Sequence, residues 1–362
     1  MYNFFMKIAI YGGSFNPIHK GHIKVAEEAI KELKLDKFIF VPAFKSPFKS
    51  KVKYAEASHR VNMIKEVLPE KSEVSEFEIN RKGVSYTIDT LKYFKQKYPN
   101  DELFLIIGSD NVYKLNKWRN INEIVELAKI VVFRRQGDFS KLNIKRYNAK
   151  LLNNELYNYS STDFRNGLLN NVDDKVRKYI GKNYLYVQDL MLSMLDNKRH
   201  KHSQAVGVMA AQLAKQVGVD IQKAWLIGCF HDITKSWSNE RQRRYLDSKD
   251  VDHSKMGDFE LHTVSGAIWV KDEYALDDKE VYSAIIKHTS LDKELSLMDK
   301  VIYVADKLCE GRKWEGIQKD RELVRKDFDK GFKNAVKRVY SFLMIKERPL
   351  TDEQKEIYKG WM

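Results

Sequence analysis

GGSFNPIHKGH, residues 12–22, follows directly on the apolar run at residues 7–11. Glycines at 12 and 13 let the backbone approach a phosphate closely, and Pro17 stiffens the turn. His19 and His22 fall near the start of a helix, whose unpaired N–H groups favour anions. Two imidazoles at such a place can neutralise charge building on a triphosphate under attack, which is catalysis by position and electrostatics without a covalent intermediate. A strand that feeds such a turn and then a helix opens an α/β fold, with ligands at the carboxyl ends of its strands.

The stretches around it agree. Runs at 38–41, 74–79, 103–108 and 130–133 read as strands, and the last two are continuous enough to be buried on both faces. Between them Ile23, Ala26, Ile30 and Leu33 keep a helical period, as do the apolar positions of 87–98. This βαβα order predicts an α/β doubly wound parallel sheet of Rossmann-like type over residues 1–187. From about residue 188 the strand signals stop. Helical periods at 205–217, 221–230, 264–274, 279–286, 297–308 and 323–345 predict an all-α domain over residues 188–362.

The chain has 362 residues, with 43% hydrophobic, 31% charged, 17 Gly and 6 Pro, which excludes a disordered or fibrous protein. No run of 18 apolar residues suggests a membrane span, and the opening MYNFFMKIAIYGG lacks the pattern of a signal peptide. A cytoplasmic protein is expected, with no membrane partner. Two cysteines, Cys229 and Cys309, are too few for a disulfide framework. The net charge of +14 is uneven: residues 1–187 carry 33 Lys+Arg against 21 Asp+Glu, residues 188–362 carry 31 against 29. Such a field suits a polyanionic ligand such as a nucleoside triphosphate, and no nucleic-acid partner is inferred from it.

Further motifs narrow the first half: SYTIDTL (85–91), GSDNVYKLNKW (108–118), VVFRR (131–135) and SSTDFR (160–165). With GGSFNPIHKGH they resemble, in order and spacing, the nicotinate-nucleotide adenylyltransferases of the HxGH nucleotidylyltransferase superfamily. The resemblance implies transfer of AMP from ATP to nicotinate mononucleotide in NAD biosynthesis, giving deamido-NAD and pyrophosphate with Mg²⁺ assistance. It implies an ATP site of Gly12, Gly13, Ser14, Phe15, His19, His22, Gly108, Asp110, Ser161, Thr162 and Arg165. Among these His19, His22 and Arg165 are the catalytic residues, Arg165 meeting the departing pyrophosphate. It implies a mononucleotide site of Lys49, Thr87, Trp118 and Arg134, with Thr87 on the nicotinate carboxylate and Trp118 stacked on the pyridine ring. Where the family has Pro-Pro-His-Lys, this chain has Ser46-Pro47-Phe48-Lys49, so Lys49 stands without the expected histidine.

Six of the nine histidines lie after residue 199. His202, the adjacent pair His231-Asp232, His262, His288 and Asp306 fall on successive predicted helices, and such ligands converge in bundle cores to hold metals. The stretches HSQAVGVMAAQLAKQVGVD, GCFHDITK, LHTVSG, IIKHTS and VIYVADKLCEGR resemble the HD-domain phosphohydrolases. They are closest to the branch that splits diadenosine tetraphosphate symmetrically into two ADP. The resemblance implies two iron ions, one on His202, His231, Asp232 and Asp306, the other sharing Asp232 and adding His262 and His288. Asp232 and Lys235 are the expected catalytic pair, Lys235 meeting substrate phosphates. Activity on another nucleotide, or a nucleotide-sensing regulatory role, remains the alternative for this half. A homo-oligomer is left open. His59, His200 and His253 match no ligand position and are expected to be exposed.

Overall fold

The computed structural model describes residues 5–45, 54–137, 139, 141–345 and 350–362. Lys49 therefore lies outside the described residues. The chain forms two compact units, Met1–Tyr179 and Ile180–Met362. The division falls ahead of the break read at 187/188, because the intervening segment packs within the second unit. The Tyr274 hydroxyl donates to the Leu185 carbonyl at 2.9 Å, and a Cβ on Gly181 would meet the Tyr274 carbonyl oxygen at 2.6 Å.

The first unit is built on six strands: β1 (Lys7–Gly13), β2 (Lys37–Pro42), β3 (Ser72–Val74), β4 (Glu102–Gly108), β5 (Lys129–Phe133) and β6 (Lys150–Leu151). They form one parallel sheet in the order β3-β2-β1-β4-β5-β6. β1 is paired on both edges, Ile10 opposite Ile39 and Leu105, which is why its apolar run is continuous. Chain order reverses between β1 and β4, so a crevice opens beyond their carboxyl ends. Beneath it Ile8, Ile10, Leu103, Leu105, Ile107, Ile130 and Val132 pack with Ile88, Leu91 and Phe94 of the helix Thr87–Lys97.

One expected strand is corrected. Only Val74 of the 74–79 run is in β3, while Phe77–Arg81 is a short helix. Tertiary contacts decide it: Phe77 stacks on Tyr93 at 4.1 Å, and buried Glu78 accepts a hydrogen bond from Thr90 at 2.6 Å. β6 was not expected.

The described part of the second unit is helical. The helices Asn197–Val217, Ile221–Phe230, Leu261–Ile268, Lys279–Ser290 and Leu297–Leu308 carry the histidine and aspartate series. The run at 264–274 begins earlier, at Leu261, and its last turn, Trp269–Glu273, widens to a π-turn. The run at 323–345 is two helices, Ile317–Lys326 and Phe328–Ile345, broken at the extended Asp327. Val187–Met194, Asn239–Asp247 and Asp352–Gly360 are further helices. Among the described residues no helix is long and apolar enough to cross a membrane.

Two of these helices meet backbone to backbone. A Cβ on Gly228 would lie 2.7 Å from the Gly207 Cα and 2.8 Å from its nitrogen. Gly228→Ala must therefore push the helices Asn197–Val217 and Ile221–Phe230 apart, at a cost of about 1–3 kcal/mol typical of overpacking. The expected outcome is a lowered denaturant midpoint for the second unit; an unchanged midpoint would refute the close crossing.

Candidate functional site

In the first unit the turn after β1 is held by side chains from far along the chain. The Arg60 guanidinium, buried in the unit, donates to the Ser14 carbonyl at 2.8 Å, Arg165 to the Asn16 carbonyl at 2.5 Å, and the Ser161 hydroxyl to the Pro17 carbonyl at 2.8 Å. The Asn16 side chain in turn accepts from the Ala55 N–H at 2.9 Å. The turn includes a cis Asn16–Pro17 bond and a left-handed Phe15 (φ 43°).

His19 is the N-cap of the helix Lys20–Leu33. Its N–H donates to Nδ1 of His22 at 3.1 Å, and the two rings stack at 3.5 Å. A neutral imidazole that accepts at Nδ1 carries its proton on Nε2, so His22 is set as a donor. Phe15 meets His22 edge-on at 4.9 Å and is itself buried, packing against Tyr11 and Phe40. It supports the histidine from below and is not part of the cleft wall.

That wall encloses about 680 Å³ at the carboxyl ends of β1 and β4. Gly12, Gly13, Ser14, His19, His22, Gly108, Asp110, Ser161, Thr162 and Arg165 all line it, and so do Thr87, Trp118 and Arg134. Gly108 leaves room for an ion pair between Asp110 and Arg135 at 3.3 Å, since a Cβ there would meet both side chains. The Trp118 indole N–H is buried and finds no acceptor among the described residues. Arg134 is tied to Asn154 through its own N–H and its guanidinium, at 2.8 and 3.1 Å. Sequence reasoning missed Arg60 and assigned Arg135 no role beyond its place in VVFRR. The signal for Arg60 was a charge at the head of the apolar run Val61, Met63, Ile64.

In the second unit all six expected ligands converge. His262 Nε2 lies 3.1 Å and His288 Nε2 3.5 Å from Oδ1 of Asp232, and His231 Nε2 3.7 Å from its Oδ2. His202 Nε2 is 2.9 Å and His231 Nε2 3.8 Å from Oδ1 of Asp306. The groups His202, His231, Asp232 and Asp232, His262, His288 each bring three donor atoms within 4.8 Å of one another. All but His202 are buried.

The orientation comes from the far side of the rings. His231 Nδ1 donates to the Gly228 carbonyl at 2.7 Å and His288 Nδ1 to the Ile285 carbonyl at 2.6 Å. Each acceptor lies one helical turn back, so the helix itself fixes the tautomer and turns the Nε2 lone pair to the centre. His202 Nδ1 faces the sulfur of Cys309 at 3.5 Å. Cys309, expected from the sequence to be purely structural, thus touches a candidate ligand.

Burial drives the pKa of His231 down to about 3 and of His262 to about 4, so both are neutral and able to coordinate. For Asp306 burial opposes ionisation, but Lys307, His202 and Arg312 outweigh it and hold the carboxyl well below its usual range. Burial likewise disfavours charge on His202, yet its hydrogen bonds to Asp306 and Cys309 raise it to about 9. Lys235 Nζ lies 2.6 Å from His262 Nε2, and burial lowers its pKa. Buried His231 Nε2 and Asp232 Oδ1 make no hydrogen bond among the described residues. Convergent lone pairs and carboxylates of this kind fit one or two cations with mixed nitrogen and oxygen preference.

The remaining histidines are half-buried, not exposed as expected. His59 bonds the Tyr179 hydroxyl at 3.0 Å and His253 pairs with Asp247 at 2.8 Å, while His200 makes no part of the cluster.

Comparisons with known proteins find matches to both units. Residues 10–167 match the family model described as cytidylyltransferase-like, and residues 199–311 match that of the HD domain. A Mycoplasma genitalium protein named probable nicotinate-nucleotide adenylyltransferase/Ap4A hydrolase is 33% identical over 330 residues, covering 88% of this chain and 93% of its own length. An Aquifex aeolicus protein named probable nicotinate-nucleotide adenylyltransferase is 45% identical over 150 residues, 40% of this chain and 89% of its own. A Clostridium acetobutylicum crystal structure described as a predicted HD superfamily hydrolase involved in NAD metabolism has 27% identity and a TM-score of 0.45, covering 49% of this chain and 96% of that one. With identity to the Mycoplasma protein running through both units, the chain belongs to the family of nicotinate-nucleotide adenylyltransferase/Ap4A hydrolases, a cytidylyltransferase-like unit followed by an HD domain.

Proposed function

We propose that the first unit transfers AMP from ATP to nicotinate mononucleotide, and that the HD unit hydrolyses diadenosine tetraphosphate to two ADP. The observation that carries the first half is that one cleft gathers His19, His22, Ser161, Thr162 and Arg165 together with Thr87 and Trp118. A phosphate oxygen of the mononucleotide attacks the α-phosphorus of ATP, forming the new P–O–P link of deamido-NAD while the bond to pyrophosphate breaks. His22, as a donor, and the Arg165 charge offset the negative charge that accumulates on the departing group. Mg²⁺, when bound with ATP, would neutralise further phosphate charge. Thr87 opens an eleven-residue helix, whose first-turn N–H groups and positive dipole end suit the nicotinate carboxylate. The flat Trp118 face suits the pyridine ring.

For the HD unit the carrying observation is Asp232 standing between two histidine groups. Two iron ions are the proposed occupants, His202, His231 and Asp306 completing one site and His262 and His288 the other. Bound cations would supply Lewis acidity toward a phosphoryl oxygen and a lowered pKa for an attacking water. Lys235 adds positive charge for the substrate phosphates.

The purified chain is expected to make deamido-NAD and pyrophosphate from ATP and nicotinate mononucleotide, and His19→Ala to lower kcat by about 10²–10³, as for loss of an oxyanion donor. A variant that keeps full kcat removes His19 from the chemistry. Iron-loaded chain incubated with diadenosine tetraphosphate should give ADP alone, and Asp232→Ala should abolish this while leaving adenylyl transfer intact. ATP plus AMP as products, or no turnover with metal bound, would redirect the HD unit to another reaction or to sensing.

Metal uptake also carries a proton signature. His202 is protonated below about 9, whereas His231 and His262 are not at neutral pH. Coordination must therefore expel one proton from His202, and affinity should rise about tenfold per pH unit below that pKa. Calorimetry in buffers of different ionisation enthalpy reads the proton count; no release at pH 7 would exclude His202 as a ligand.

A further inference from the structure

The helix Asp352–Gly360 lies far along the chain from every candidate ligand, yet it is bonded to the ends of two helices that carry them. Gln354 Nε2 donates to Oε1 of Glu260 at 3.3 Å, and the same oxygen accepts from Ser290 Oγ at 3.3 Å. Glu260 caps the helix Leu261–Ile268, two residues before His262, and its carbonyl accepts from Thr263 at 2.8 Å. Ser290 is the last residue of the helix Lys279–Ser290, two residues after His288. One carboxylate oxygen, steered by Gln354, thus ties together the two helix ends nearest His262 and His288.

Three more bonds fasten the same place. The hydroxyl of buried Tyr358 donates to the Thr289 carbonyl at 3.3 Å, Trp361 Nε1 to the Asp292 carbonyl at 2.7 Å, and Glu353 pairs with Lys293 at 2.9 Å. Thr289 is in the last turn of the His288 helix and Asp292 lies just past its end, where helix carbonyls have no partner within the helix. The Trp361 ring meets Phe332 edge-on at 5.9 Å, which anchors the clasp on the helix Phe328–Ile345. Lys300, on the helix Leu297–Leu308 that carries Asp306, lies over the Trp361 ring at 4.8 Å, but among the described residues no hydrogen bond joins the helix Asp352–Gly360 to His202, His231 or Asp306 themselves.

We propose that Gln354, Tyr358 and Trp361 are positioning residues that set the metal affinity of the Asp232–His262–His288 group, and do so selectively. The proposal rests on the reading of that group as a metal site. The two imidazoles come from different helices, so their spacing around Asp232 depends on how the ends of those helices are held together. By contrast His231 and Asp232 share one turn. Loss of outer hydrogen bonds that orient ligands typically weakens metal binding about 10–100-fold.

The test uses the full-length chain and titration with Co²⁺, read by its visible absorption and by calorimetry. Gln354→Ala, Tyr358→Phe and Trp361→Phe combined remove the three bonds of the clasp, along with the Thr351 N–H bond to Gln354 in the helix's own capping box, and keep the aromatic packing. One of two binding steps should weaken at least about tenfold and the other hold its affinity. His262→Ala, which removes a ligand of the clasped group, and His202→Ala, which removes one of the other group, identify the steps. Should the triple variant lose its thermal transition, Gln354→Glu alone serves. It sets like charge against Glu260 from a half-exposed position and should weaken the same step. Equal weakening of both steps, or of neither, overturns the clasp. An unmodified chain that takes up no Co²⁺ overturns the metal reading itself, and the clasp with it.

Discussion

Three carbonyl groups in the turn after β1 must each find a donor once the turn is folded under other chain, because an unpaired buried carbonyl costs about as much as a lost hydrogen bond. Ser14, Asn16 and Pro17 find theirs in Arg60, Arg165 and Ser161. The nucleotide cleft follows from that requirement. Arg165 and Ser161 cannot satisfy the turn without bringing their own helix, Ser161–Arg165, to the mouth of the crevice beside His19 and His22. Structure and chemistry share the same side chains here, so the cleft wall is assembled as the turn is satisfied.

The HD unit uses the same exchange over a shorter reach. Its imidazoles donate to main-chain carbonyls one turn behind them, at Gly228 and Ile285, and the remaining lone pairs face inward. In both units main-chain oxygen orients the working side chains. The difference is in sequence distance. The first unit spans more than a hundred residues to join Asn16 with Arg165, whereas each of these two HD histidines is aimed by its own helix.

That difference explains what could be read from the sequence. The adjacent His231-Asp232 pair and the HxGH turn are local patterns whose geometry is set within a few residues, and they stood out at once. β1, β4 and β5 were legible because a strand covered on both faces must be apolar throughout. The run at 74–79 misled because its short apolar spacing fits a strand, while its fate was decided by Tyr93 and Thr90 further along the chain. The break at Asp327 is hidden in a similar way, since Val324 and Phe328, four residues apart, continue an apolar face across it. Arg60 and the helix Asp352–Gly360 carry no motif, and Cys309 falls inside one that assigns it no role. Their parts are defined only by distant partners, and periodicity holds no information about those.

The Gly207–Gly228 crossing adds a different kind of constraint. The helices bearing His202 and His231 touch through main-chain atoms, so the gap between them is set by the van der Waals radii of those atoms and not by the volumes of interdigitating side chains. An aliphatic substitution elsewhere in a bundle shifts its helices to fit the new side-chain shape. This pair of imidazoles is insulated from such drift. A separation that a cation must match to tenths of an ångström is thereby entrusted to the one dimension of the bundle that sequence change alters least.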